Sequence, residues 1–258
     1  MTSLEDCFNS TNEEVLDLSN WDVSNVTTLK NCFYCAENLE SLDVSNWNVS
    51  NVKDMSYCFC DCEKLCRLDL SHWNVSNVTN LIECFSGCLS LKYLDLTLWD
   101  TSKVETLNTC FYECISLSYL GIELWNVSNV KDLSFCFASC TSLSSLGLSL
   151  WNTSNVRDLS VCFKNCTSLK SLDLGHWNTS NVNSMYQCFK GCSSLLYLNI
   201  EDWTLNDGVI MDGLFDDCNR LIMIRCSENV YHRLFPKRSK WEYEGGFALK
   251  TDKGEWYI

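Results

Sequence analysis

The sequence has a single proline and only ten glycines in 258 residues, which leaves little material for linkers or disordered tails. No apolar run approaches the ~18 residues that a membrane-spanning helix needs, so no membrane insertion is expected. Cations are scarce. Nineteen Lys and Arg face 33 Asp and Glu, for a net charge of −14. An acidic body repels phosphates, which disfavours a nucleic-acid partner. The imbalance sits in residues 1–225, with 13 Lys and Arg against 28 Asp and Glu; residues 226–258 hold six against five. There is no P-loop, no glycine-rich dinucleotide turn, no His-Glu-x-x-His and no Gly-x-Ser-x-Gly. Carboxylates are many but periodic, whereas catalysis needs a singular arrangement in a pocket. Neither an enzyme nor a cofactor is expected. The segment Met1-Thr2-Ser3-Leu4-Glu5-Asp6 is polar and acidic and does not resemble a secretion signal.

What is present is a repeat. Trp21, Trp47, Trp73, Trp99, Trp125, Trp151, Trp177 and Trp203 follow one another at an unbroken spacing of 26. Val lies five residues after each of the first seven, from Val26 to Val182, and Leu or Met eight after, from Leu29 to Met185. A Cys-Phe pair comes next, from Cys32-Phe33 to Cys188-Phe189. Three leucine-like positions then precede the next Trp, as in Leu91, Leu94 and Leu96 before Trp99.

Within a unit the apolar period changes once. Leu91 to Leu96 ends in alternation, which predicts a strand. Leu133, Cys136, Phe137 and Cys140 recur at offsets of three and four, which predicts one face of a short helix. Thr28, Asp54, Asn80, Thr106, Asp132, Asp158 and Ser184 stand just before those segments and read as N-caps. A Ser-Asn turn such as Ser50-Asn51 lies between, with Lys103 replacing the Asn once. So small a unit buries its apolar stripe only by stacking on its neighbours. The expected fold is an α/β solenoid: a leucine-rich-repeat-like stack of about eight 26-residue strand-turn-short-helix coils, with a parallel sheet on one side.

Leu-Asp-Leu-Ser-x-Trp-Asn-x-Ser-Asn-Val, followed by Cys-Phe-x-x-Cys-x-Ser-Leu, resembles the BspA-like leucine-rich repeat in its Mycoplasma lipoprotein subtype. The likeness covers about residues 4–225, with Cys here where that repeat usually has Met before the Phe. It implies a surface or adhesion-type protein that binds a protein partner, at the cell surface or secreted. The lack of a visible signal, together with many free-looking thiols, points instead to the cytoplasm and to an intracellular recognition role in host–virus or defence interactions.

Nineteen cysteines call for an account of their own. Two columns lie beside the Phe, where a thiol acts as a small buried hydrophobe, as in the pairs Cys58/Cys62 and Cys136/Cys140. Bridges between stacked coils, or a thiol array for redox or metal chemistry, are the other readings. His72, His176 and His232 do not fall beside these columns, and no metal ligand set is expected.

Function is sought where the copies disagree. Three strand-side positions per unit point away from the core. The residue before the second Leu runs Ser41, Arg67, Tyr93, Tyr119, Ser145, Ser171, Tyr197. The residue before Trp runs Asn46, His72, Leu98, Leu124, Leu150, His176, Asp202. Tyr93, Leu98, Tyr119, Leu124 and Leu150 thus form a candidate protein-binding patch in the middle coils, with Gly121 and Gly147 opening the surface beside them. The contrary reading buries those leucines under the loop. Asp43, Asp69 and Asp95 stack as carboxylates that either hold a cation or form a solvated acidic face. Sequons such as Asn48-Val49-Ser50 recur with the repeat and read as turn chemistry.

Both ends depart from the pattern. Residues 1–20 read as a shortened capping repeat, 21–203 as seven regular repeats, 204–226 as a degenerate last one, and 227–258 as a C-terminal cap. Within the cap, Phe247 to Ile258 reads as a β-hairpin turning at Thr251-Asp-Lys-Gly254. Lys237-Arg238-Ser239-Lys240 is a small basic cluster, read as a solvated loop.

Overall fold

A computed structural model describes residues 1–235 and 241–250. The chain is a β-solenoid of about eight turns, with the 26-residue unit as its coil. On one side run three-residue strands: β1 (Val15–Asp17), β2 (Ser41–Asp43), β3 (Tyr93–Asp95), β4 (Tyr119–Gly121), β5 (Ser171–Asp173), β6 (Tyr197–Asn199) and β7 (Met223–Arg225). Neighbours pair parallel and in register, as Leu94 does with Leu120. Residues 67–69 and 145–147 form no strand, Arg67 keeping a single parallel bridge to Ser41, so the strands fall into three sections. The second side holds a row of parallel bridges running from Thr28–Asp54 to Ser184–Ile210.

The short helix expected in each coil is not formed. The segment after each bridge is a run of reversed turns joined to the next coil. Leu29, Asn31, Phe33 and Cys35 donate N–H to the carbonyls of Asp54, Ser56, Cys58 and Cys60 at 2.8–3.0 Å. The residues between them close turns, with Cys32 N–H on Leu29 O and Tyr34 N–H on Asn31 O. Spacing explains the outcome. The stacked Phe rings repeat at 5.3–5.8 Å from coil to coil, near the separation of paired strands. Packed helices need ~8–10 Å between axes. A straight stack on strand spacing therefore has no room for a helix in every coil. The predicted N-caps still accept a backbone N–H two residues on, as Asp132 does from Ser134 at 2.8 Å. They cap turns rather than helices.

Alternate turns place two residues per coil in the left-handed region. Phe135, Val161, Glu83 and Tyr57 take φ of 57°, 63°, 51° and 57° without being glycine. Such a conformation costs a β-branched residue about 1–3 kcal/mol, and the surrounding stack holds it in place.

The core lies between the sides. Phe8 to Phe215 form one column of near-parallel rings, and Trp47 on Trp73 and Trp99 through Trp177 stack at 6.0–6.3 Å. Each Trp is also tied to the coil before it. Trp99 Nε1 donates to Leu70 O at 3.0 Å, Trp125 Nε1 to Leu96 O at 2.9 Å, and the series runs from Trp47 to Trp203.

The ends differ. At the N-terminal end Trp21 is 36 % exposed, while the later tryptophans of the column are buried. At the C-terminal end Ser227 caps the helix α1 (Glu228–Leu234). A hairpin of β8 (Trp241–Glu244) and β9 (Phe247–Lys250) then closes the sheet, β9 lying antiparallel on β7. The turn and second strand of the hairpin expected over Phe247 to Ile258 fall on residues 251–258, so the hairpin seen here is a different one. It turns at Gly245-Gly246, whose φ values of 57° and 90° need glycine, and β9 is its second strand. Residues 251–258 and the cluster Lys237-Arg238-Ser239-Lys240 lie outside the described residues.

Candidate binding face

Leu98, Leu124 and Leu150 each occupy the turn between a coil's strand-side segment and its buried Trp. The Trp side chain goes inward, so the residue before it goes outward. The leucines are 80 %, 61 % and 73 % exposed, which rules out burial under the loop. Trp99, Trp125 and Trp151 stack ring on ring at 6.1 and 6.3 Å, so the leucines beside them also stand one coil apart. The same position is Asn46 and His72 in the preceding coils and His176 and Asp202 in the following ones. His176 Nδ1 lies 3.2 Å from Asp202 Oδ2. The apolar stretch therefore has polar ends. An apolar centre with a polar rim is the usual composition of a protein interface.

Tyr93 and Tyr119 stand on β3 and β4 as register partners. Their rings stack at 4.6 Å and 10°, both substantially exposed. The Tyr93 phenol is raised above its ordinary pKa, first by desolvation and then by the charge of Asp95. Gly121 does not open the surface as expected. It is buried, and a Cβ there would lie 2.6 Å from Thr97 Oγ1, 2.7 Å from Asp95 Oδ1 and 3.1 Å from the Tyr119 hydroxyl. Glycine is needed at this position because the side chains of two coils fold over it. Gly147 is exposed.

The carboxylates of the strand side are turned back on their own chain. Asp69 Oδ1 accepts from the Ser71 hydroxyl at 2.7 Å and its N–H at 3.1 Å, and Asp95 Oδ1 accepts from Thr97 in the same way. These bonds lower the pKa of both carboxyls, the side-chain bond being the larger cause. The Asp column is thereby accounted for as turn chemistry, and among the described residues no group of three or more His, Cys, Asp or Glu is arranged to hold a metal.

Both cysteine columns are interior. In the second, the thiol donates to a backbone carbonyl of the preceding coil: Cys88 to Phe59 O at 3.2 Å, Cys114 to Phe85 O at 3.1 Å, Cys140 to Phe111 O at 3.0 Å. A small apolar side chain with one weak donor suits that position. Burial pushes the thiols of Cys58, Cys84, Cys114 and Cys140 well above their ordinary pKa, which suppresses the thiolate that redox chemistry requires.

A cleft of about 490 Å3 opens where the strand ladder breaks at residues 67–69, lined by Arg67, Asp69, Tyr93 and Asp95 among others. It adjoins the tyrosine pair. Sequence reasoning did not find it, because the broken strand keeps the repeat's own residues.

The family "Mycoplasma protein of unknown function, DUF285" matches residues 2–119 and 105–223. The chain belongs to this family. No curated protein matches it. Among solved structures, it is similar to a leucine-rich cell surface protein from Faecalibacterium prausnitzii. The identity is 16 %, over 90 % of this chain and 81 % of that one, with a TM-score of 0.36. An internalin from Listeria monocytogenes is similar at 16 % identity over 81 % of this chain and 76 % of that one, with a TM-score of 0.23.

Proposed function

We propose that the protein is a non-enzymatic scaffold that binds a protein partner through its middle coils, with Leu98, Leu124 and Leu150 at the centre and Tyr93 and Tyr119 beside them. The observation that carries this reading is the exposure of three leucines in successive coils, on a chain whose other repeated leucines are interior. Transferring an exposed Leu out of water is worth about 1.5–3 kcal/mol, so the row offers a large driving force for association. Tyr adds area at low entropic cost. The resemblance to BspA-like repeats supports a surface or adhesion-type role for that interaction.

The test is photo-leucine incorporation followed by cross-linking. The captured protein is purified, and its affinity for the unaltered chain and for Leu124→Asp is measured. The reading expects a loss of at least about tenfold in affinity, or ~1.4 kcal/mol. Equal affinity for a folded variant overturns it.

A further inference from the structure

The flank built from the Ser-Asn turns carries two clefts. One, of about 410 Å3, is lined by Thr79, Lys103, Glu105, Asn129, Lys131 and Asn155. The other, of about 320 Å3, is lined by Asn155, Arg157, Ser180, Asn181, Asn183 and Asn206. Asn155 belongs to both, so they form one polar groove along the stack.

Two features of this groove set it apart. The first is charge. The chain as a whole carries −14, yet the groove gathers Lys103, Lys131 and Arg157 against Glu105. Glu105 is occupied by Lys131 at 2.7 Å. Lys103 and Arg157 have no ion pair among the described residues. The second is a fixed row of acceptors. Asn129, Asn155 and Asn181 each spend Nδ2 on a carbonyl of the preceding coil, on Ser102, Ser128 and Ser154 at 2.7, 2.7 and 2.8 Å. The amides are thereby oriented, with Oδ1 available as the acceptor. Asn77 shows what such an oxygen does with a donor, accepting from Lys103 Nζ at 2.6 Å.

We infer that this groove binds a linear acidic polysaccharide, its hydroxyls donating to the asparagine Oδ1 row and its carboxylates meeting Lys103 and Arg157. Three considerations select that class. The acceptors need donors at every coil, which a polyhydroxylated chain supplies. The coil-to-coil spacing, with stacked Phe ring centroids 5.5 Å apart, is comparable to one pyranose in an extended chain, whereas an extended peptide repeats at ~3.3 Å per residue. No aromatic side chain lines either cleft to stack a nucleic-acid base.

The test is calorimetric titration of the intact protein with alginate oligosaccharides, with neutral dextran oligosaccharides and poly-glutamate of matched length as comparisons. Alginate should bind, more weakly as salt rises through ~0.15 M, and the neutral chain at least about tenfold more weakly. Lys103→Asn restores the residue that the repeat has elsewhere at that position, and Arg157→Gln keeps a polar side chain, so both leave the stack intact. Each should weaken alginate by about five- to tenfold, while Leu124→Asp leaves it unchanged. The inference is overturned if alginate binds no better than dextran, if poly-glutamate matches it, if Lys103→Asn and Arg157→Gln each bind as the unaltered chain does, or if Leu124→Asp abolishes the binding.

Discussion

Phe85, Phe111 and Phe137 are the same residue in three successive coils, fully buried and stacked within 1–4° of parallel. On the strand-side rim of those same coils, the position before Trp reads Leu98, Leu124 and Leu150, between Asn46 and His72 on one side and His176 and Asp202 on the other. Interior and rim share one period and follow different rules. Inside, each side chain is fixed by the copy above and the copy below, so a departure in one coil costs contacts in three. On the rim the side chain points outward and meets water, so the stack constrains it little. Identity in the interior therefore records packing, while variation on the rim leaves room for recognition.

The largest expected effect is on the interior, and it follows from pH. The thiols of Cys58, Cys84, Cys114, Cys136, Cys140 and Cys162 have folded pKa values raised by burial above the ordinary 9.0. A group whose folded pKa is raised gives its full stabilisation below the unfolded pKa, and loses it as pH climbs toward the folded value. Denaturant midpoints should therefore hold up to about pH 8.5 and then fall, by up to ~1.4 kcal/mol per pH unit for each thiol that ionises on unfolding. A midpoint unchanged at pH 10 would show that the columns are not buried.

Next in size is Phe111→Ala, which removes a ring from the middle of the column. Equilibrium unfolding should show a loss of about 3–5 kcal/mol. Gly87→Val follows. Its φ is +70°, and a Cβ would stand 2.2 Å from Asp61 Oδ1, so a loss of about 1–3 kcal/mol is expected by the same measurement. The reverse change, Ser139→Gly at φ 61°, should raise the midpoint slightly, by ~0.5–1 kcal/mol. At the small end lie rim substitutions such as Leu98→Asn, expected within ~0.5 kcal/mol of neutral. A rim substitution as costly as Phe111→Ala would erase the distinction between interior and rim.

The solenoid, the buried columns and the place of Tyr93, Leu98 and Leu124 in the repeat were legible in the sequence, because a strict period fixes which side chains return to the same place; that the leucines face water rather than the loop was not. The turn runs were not. Leu133, Cys136, Phe137 and Cys140 recur at offsets that a helix and a chain of reversed turns share, and only the coil rise decides between them. The left-handed backbone at Phe135 and Val161 carries no glycine to announce it. The role of Gly121 depends on side chains packing over it, Thr97, Asp95 and Tyr119 among them. The groove was hidden for a different reason. Asn129 and Asn155 are correctly read as turn residues, and the oxygen left over after the turn bond is visible only once the amide is oriented. Lys103 in place of Asn is a visible departure from the repeat on this flank.

The rim claim is tested most directly by combining Leu98→Asn, Leu124→Asn and Leu150→Asn, which writes the residue of Asn46 into three further coils. Thermal unfolding and binding of the cross-linked partner are measured on the same preparation. The expected result is an unchanged or slightly higher Tm together with lost binding. A variant that unfolds, or one that stays folded and binds the partner as before, contradicts the account.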